Sequence, residues 1–475
     1  MAVTIQRSNR VTCAARICLE GISLRTLATI IPGIAPVDNL SEFLETVPHR
    51  EHPGITSLKT VHLPSQLADA AQAVLEKHPV SQLAERTLQI STYLWSRKRP
   101  VEDETLRTKA AELEQKFLEK MAPLSAVHES LDPLQVEEQK ENLRRQVLAK
   151  LRKTTYHWQP LNYDKELSLV YMAARMNGVY AAVSRAFHEI KKRVPEFQPY
   201  SLLDFGSGTG SVTWAAHQAW GESLKEYMCI DSSSVMNKLA DLLLRGGSES
   251  SPSHINAVYF RQFLPVSPKV KFDVVSSAFS LNDLPSQAER ISTVQTLWRK
   301  TGSYLVLIES GTREGHQILM EARDVLMGAK VSRESRSGIV FAPCPHDLPC
   351  PKFAQKTILP CNFTQAYHPL PYTSKQDLKL EKFSYVILQK GEYKGIERSW
   401  PRIIEPVLRR PRHVHCHLCC SDGTLQHAVI TAKKHTKDLY RCARSSNWGD
   451  RLPVSNLETE KESENVSESD NLPST

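Results

Sequence analysis

The rhythm of hydrophobic positions changes along this chain. From about residue 35 to 165, Leu, Glu, Lys, Arg and Gln dominate, and apolar residues recur every three or four positions in stretches such as SQLADAAQAVLEKH and TLRTKAAELEQKFLEKM. That period places apolar side chains on one helical face, and prolines at 100, 123 and 133 punctuate the segment, so 31–165 is read as a helical N-terminal region. Its charge runs are most simply solvated surface, although such helices suit docking to a large partner. A further helix is predicted from about Glu166 to Arg193, with Leu167, Val170, Tyr171, Ala174, Val179, Ala182 and Phe187 near one face and Pro195 ending the run. Then the pattern becomes short apolar runs, SLLDF, YMCID, VYF, FDVVSSAF and YLVLIES, separated by helical or loop segments. Strand-length runs alternating with helices are the signature of a doubly wound, parallel α/β sheet, and 166–320 is read as that domain.

Composition sets the outer limits. A chain of 475 residues with 41% hydrophobic content can form two or three domains with ordinary cores. It holds no run of eighteen apolar residues, so no membrane insertion is expected. Residues 1–30 carry Arg7, Arg10, Arg16 and Arg25 against Glu20 alone, with Ser and Thr interspersed and no continuous apolar stretch. This fits a mitochondrial transit peptide better than a secretory signal; a plain basic, disordered N-terminus is the bland alternative. At the other end, 456–475 holds six acids against Lys461 and no aromatic residue, which predicts a disordered acidic tail. The whole chain is +8, and with both ends removed the remainder is +10. Such a balance favours phosphate-rich partners, either nucleic acid or an anionic membrane surface.

Directly after the first predicted strand comes Asp204-Phe205-Gly206-Ser207-Gly208-Thr209-Gly210, followed by the helix-forming SVTWAAHQAW. Alternate glycines let the backbone turn sharply and lie close against a ligand. A dinucleotide fingerprint would place its third glycine at 211, which is Ser. The spacing instead resembles motif I of class I S-adenosylmethionine-dependent methyltransferases. That resemblance implies that Gly206, Gly208 and Gly210 line the cofactor, that Asp204 sits near its amino group, and that Asp231, ending the next strand, holds the ribose. The stretch VVSSAFSLNDLPSQ only partly echoes, through Asn282, Asp283 and Pro285, the Asn-Pro-Pro type motif of amino-methylating relatives, and it lacks the cysteine of cytosine-C5 enzymes. No standard base-methylation site is expected.

Six of the ten cysteines fall in two patches, CPHDLPCPKFAQKTILPC and HVHCHLCC. For a matrix-directed chain, reducing pools make disulfides a poor explanation and metal the better one. Cys416-x-x-Cys419 has zinc-like spacing, whereas Cys344, Cys350 and Cys361 fit no common zinc knuckle. Their irregular spacing, and the prolines after Cys344 and Cys350, suit an iron–sulfur cluster equally well, and spacing alone leaves the two metals level.

In order, LLDFGSGTGS, IESGTREGH, CPHDLPCP, EKFSYVIL, RRPRHVHCHLC and YRCARSSNWGD resemble the mitochondrial small-ribosomal-subunit methyltransferase-like assembly factor family, over about 160–453. The resemblance implies a matrix protein that binds ribosomal RNA and ribosomal proteins of the small subunit, keeps S-adenosylmethionine binding and has lost methyl transfer. It also implies a 4Fe-4S cluster on Cys344, Cys350, Cys361 and Cys419. Cys416 and Cys420 are then bystanders, and the cluster pins the C-terminal β-rich region, 321–455, to the nucleotide-binding domain. That region is basic: from Lys375 to Arg451 there are sixteen Lys and Arg against eight acids. Arg409, Arg410, Arg412, Lys433, Lys434 and Lys437, close to Tyr440 and Trp448, suit RNA phosphates and unstacked bases. The rivals to an assembly factor are an active ribosomal RNA methyltransferase and a zinc-dependent RNA-binding module.

Overall fold

The computed structural model describes residues 47–125, 133–156, 158–328, 338–353, 359–371, 377–391 and 399–454. The expected transit peptide, 1–30, and acidic tail, 456–475, lie outside the described residues. The helical periodicity of the N-terminal region is realised in α1 (Ser65–Lys77), α2 (Leu83–Ser96), α3 (Asp103–Ser125) and α4 (Pro133–Thr154). The long helix α5 (Lys165–Arg193) starts where the Asp164 side chain accepts the Leu167 N–H at 2.8 Å and stops just before Pro195. Its middle is buried on nearly every side, because it lies against α2, the main sheet and the helix after the glycine loop.

The five predicted apolar runs are strands β1 (Ser201–Phe205), β2 (Glu226–Ile230), β3 (Val258–Arg261), β4 (Phe272–Ala278) and β5 (Thr301–Ser310). They alternate with α6 (Ser211–Trp220), α7 (Ser234–Leu244) and α8 (Gln287–Lys300), and α9 (Arg313–Gly328) follows. The sheet continues past residue 320 through β6 (Gly338–Ala342), β7 (Phe363–Tyr367) and β8 (Lys379–Lys390), in the order β3-β2-β1-β4-β5-β8-β6, with β7 also on β8. The first five strands are parallel; β8 runs antiparallel to β5, and β6 and β7 pair with opposite ends of its far edge. The unbroken burial of Phe383–Leu388 follows, since apolar side chains on both faces of β8 need cover.

A second, antiparallel sheet contains β9 (Arg402–Ile403), β10 (Leu408–Arg409), β11 (Val414–Cys419) and β12 (Leu425–Ile430), and α10 (Lys437–Ser445) packs beside it. Period-two alternation sends Val414, Cys416 and Leu418 into a core shared with Ala428, Ile430, Leu439 and Ala443.

Two buried polar hubs join the parts. The Asp450 carboxylate accepts the N–H groups of Thr56 and Ser57 at 2.8 and 2.7 Å, so the Trp-Gly-Asp segment fastens the N-terminal chain. Glu189, wholly buried on α5, accepts hydrogen bonds from Arg402 at 2.5 Å and Tyr385 at 2.7 Å, with Arg193 and Arg185 at 3.3 and 3.6 Å. Burial alone would raise its pKa, but Arg402, Arg185 and Arg193 together hold it well below the usual carboxylate range.

Candidate functional site

The chain runs outward from β1 to β3 and crosses back to β4, so the strand order reverses between β1 and β4. In open α/β sheets the crevice at that switch point, beyond the carboxyl ends of the strands, is where ligands bind. The glycine loop sits there, with Gly206, Gly208 and Gly210 at φ +72°, +51° and +78°. Left-handed values of this kind suit glycine, and a Cβ on Gly206 would also overlap the Ser280 side chain. Asp231 fastens the loop from the next strand, accepting the Gly208 N–H at 2.9 Å and the Ser233 N–H at 2.9 Å. Around them opens a cavity of about 510 Å³, lined among others by Tyr163, Tyr171, Gly206, Gly208, Asp231 and Asp283.

Asp204, expected beside the cofactor's amino group, does not line this cavity. It lies inside β1 between Cys229 and Ser276, fully buried, with neither carboxyl oxygen hydrogen-bonded among the described residues. Burial first, and then Asp231, push its pKa well up. Without side chains at Gly206 and Gly208, the loop backbone itself forms the cavity wall, which fits close approach of a small ligand.

The turn after β4 is held by the chain's own residues. Arg97, buried at the end of α2, ion-pairs with Asp283 and donates to the Gln159 carbonyl at 3.0 Å. Glu309, at the end of β5, accepts the Leu281 and Asn282 N–H groups at 2.8 and 3.3 Å. Burial, with Asp283 adding, raises the Glu309 pKa to about 8. Arg97 belongs to the helical region that shows no catalytic pattern in sequence; a lone arginine after a tyrosine- and tryptophan-bearing helix gives no local signal of this role.

The cysteine patches meet at the seam between the sheets. Cys344 and Cys350 follow β6, Cys361 precedes β7 and Cys419 ends β11. Cys344, Cys350 and Cys419 are buried and Cys361 is half-buried. Burial raises the Cys419 thiol pKa, and Cys344, Cys361 and Cys350 raise it further, so all four lie within electrostatic reach of one another. Burial likewise pushes Cys344 up to about 11. Among the described residues, no three His, Cys, Asp or Glu side chains stand ready to hold a metal ion. The surroundings nevertheless suit an anionic thiolate group. Arg323, wholly buried, donates to the Leu348 carbonyl, while its Nε and Nη1 lack hydrogen-bond partners among the described residues and only Asp324 stands 3.9 Å from Nη1. The backbone N–H of Phe353 donates to the Cys350 carbonyl oxygen at 3.0 Å, and the backbone of Lys352 and Phe353 offsets part of the burial that raises the Cys350 thiol pKa. His346 Nε2 lies 3.4 Å from Cys419 Sγ, and His316 Nε2 lies 3.9 Å from Cys350 Sγ.

The zinc-like spacing of Cys416 and Cys419 is not realised. Three residues apart on one strand, they face opposite sides of the sheet, Cys416 inside the apolar core and Cys419 at the seam. Cys420 also packs in that core, and Cys229 and Cys442 are buried apart from the seam.

Of the basic residues, Arg410, Arg412, Lys433, Lys434 and Lys437 are exposed. Arg409 is partly committed: it donates to the Arg444 and Ser446 carbonyls at 2.8 and 2.5 Å and to Asn447 at 2.9 Å, closing the end of α10. Beside it the structure adds Arg50, Arg441 and Arg444, which local sequence could not assemble.

The fold and site thus define a doubly wound α/β protein with a glycine-loop cavity at its switch point and a thiol-lined seam to a second, basic sheet. The mitochondrial small ribosomal subunit Rsm22 family matches residues 165–453, and the chain belongs to that family. It is 57% identical over 432 residues to the human ribosome assembly protein METTL17, mitochondrial, covering 90% of this chain and 91% of that one. The Saccharomyces cerevisiae ribosome assembly protein RSM22, mitochondrial, is 19% identical over 407 residues, covering 57% and 64%. Among solved structures, magnesium protoporphyrin IX methyltransferase from Synechocystis aligns at TM-score 0.30 and 12% identity, covering 51% of this chain and 94% of that one. A ribosomal protein L11 methylase from Lactobacillus delbrueckii aligns at 0.26 and 11%, covering 44% and 80%. The doubly wound fold stands on its own strand order.

Proposed function

We propose that this chain is a matrix assembly factor of the mitochondrial small ribosomal subunit, gripping ribosomal RNA with its basic C-terminal region beside ribosomal proteins. The human relative named for ribosome assembly, matched over nine-tenths of both chains, supports this reading. Cys344, Cys350, Cys361 and Cys419 hold a 4Fe-4S cluster, whose chemistry is a four-point crosslink between two sheets. The observation that carries the proposal is the convergence of four thiols on one buried seam beside the under-partnered Arg323. Metal binding there becomes folding energy for the basic sheet. Anaerobically purified protein should show broad iron–sulfur absorbance and about four irons per chain. Zinc without iron would refute the cluster.

Gly206, Gly208, Gly210 and Asp231 hold S-adenosylmethionine, which when bound carries an activated methyl group. The chain's residues bind and orient it without passing that group on, since Asp283 is engaged by Arg97 and no Asn-Pro-Pro motif follows β4. The second reading, an active ribosomal RNA methyltransferase, is favoured by the intact loop and its Asp231 anchor. Incubating purified protein with labelled cofactor and small-subunit RNA decides between them; labelled RNA would establish the enzyme.

A further inference from the structure

A second cavity, of about 730 Å³, lies where the N-terminal chain meets the C-terminal helix, lined by Pro48, His49, Arg50, Arg409, Arg441, Arg444 and Ser445. Four guanidinium groups face one concavity, and no carboxylate lines it among the described residues. Asp438, on α10, is occupied: its Oδ1 meets His49 Nε2 at 2.9 Å and lies 4.0 Å from Arg441 Nη1. That His49–Asp438 contact holds the turn carrying Arg50 against α10. Arg409 is fixed by its bonds to the end of α10, and Arg444 donates to the Arg410 carbonyl at 3.0 Å. Like charges gathered in a concavity repel one another, and an entering anion relieves that cost. Fixed guanidinium forks match phosphate oxygens in pairs, which a lysine-rich face does not offer.

We infer that this arginine cavity binds the sugar–phosphate backbone of RNA, making the N-terminal turn and α10 one composite phosphate site. This rests on the RNA-binding reading above and deepens it, because it moves the grip from Lys433, Lys434 and Lys437 to Arg50, Arg441 and Arg444. A nucleotide polyphosphate presents the same chemistry, and the test separates the two sources.

Full-length protein is titrated into a labelled single-stranded RNA oligonucleotide at several salt concentrations, with fluorescence anisotropy as the readout. Each of Arg50→Gln, Arg441→Gln and Arg444→Gln should lower the slope of log affinity against log salt by about 0.7, and the triple variant by about 2. Lys238→Gln, on the exposed face of α7, should leave it unchanged. The triple variant should keep the melting temperature of the parent, since its three side chains are exposed. An unchanged slope in the triple variant beside a lowered slope in Arg410→Gln/Arg412→Gln overturns the cavity and leaves RNA binding standing. No RNA binding by the parent protein overturns both. Displacement of the RNA by ATP at equal phosphate concentration overturns the backbone assignment, as does preferential binding to anionic vesicles.

Discussion

The glycine-loop cavity and the thiol seam differ in how far along the chain their parts lie. The loop residues 206–210 come from one strand–turn–helix unit, and Asp231 closes the next strand. The seam needs the loops after β6 and before β7 together with the last residue of β11 in another sheet. Its neighbours Arg402 and Glu189 reach the Trp-Gly-Asp segment and, through it, Thr56 near the start of the described chain. The cavity is therefore built mainly at the carboxyl end of one sheet, and the seam is a property of the completed fold. Damage to the cavity should stay local, whereas damage to the seam should spread.

The largest expected effect breaks the seam outright. Cys344→Ser or Cys419→Ser should abolish the absorbance of the proposed iron–sulfur cluster, because an alkoxide is a poor replacement for thiolate on iron. Protease sensitivity should rise across about 340–450, while S-adenosylmethionine affinity, measured by calorimetry, should be largely spared. Cys416→Ala is the control: it shaves a buried core residue and should cost about 1 kcal/mol of stability yet keep the colour. A colourless Cys416→Ala protein beside a coloured Cys344→Ser protein would move the metal to the other face of β11.

Next in size is the hub. Glu189→Ala leaves Arg402, Arg185 and Arg193 buried without their shared anion, a loss of about 3–5 kcal/mol seen in thermal unfolding. Because the folded-state pKa of Glu189 is depressed, its stabilisation is complete above its unfolded value of about 4.3 and fades as pH falls toward the folded one. Wild-type stability should therefore drop below about pH 4 more steeply than that of the variant.

A local lesion sharpens the contrast from the other side. Gly206→Ala combines a positive φ with overlap on Ser280, a strain of about 1–3 kcal/mol, and should weaken S-adenosylmethionine binding about tenfold or more. The iron–sulfur spectrum should not change. Loss of both cofactors together would show that the two regions are coupled more tightly than their separation implies.

The smallest effect concerns Glu309. Its folded pKa is raised to about 8, so the folded state holds a proton that the unfolded chain releases near pH 4.3. Stability contributed by that proton is present at low pH and is lost as pH rises toward 8. Glu309→Gln keeps an acceptor for the Leu281 and Asn282 N–H groups and removes the titration. Melting temperatures at pH 6 and pH 8 should differ less in the variant than in the parent.

Much of this protein was legible one element at a time. The apolar runs of β1 to β5, the helix ending before Pro195, and the glycine loop with Asp231 depend on interactions within a few dozen residues, so period and spacing carry them. The cysteine spacing was ambiguous for a physical reason: sequence distance does not say which face of a strand a thiol takes. Pairing of β11 with β12 and burial under α10 send Cys416 to the core and Cys419 to the seam.

What sequence alone determined is the alternation of strands and helices, the loop that needs positive φ, and the basic balance of the folded part, all of which follow from local sterics and charge. Tertiary structure alone decided that Arg97 would meet Asp283, that Arg50 would face Arg441 and Arg444, and that β8 would join the main sheet. Each of these is a long-range burial choice. The free energy of removing charge and apolar surface from water depends on which distant segment arrives to cover it, and no local pattern encodes that arrival.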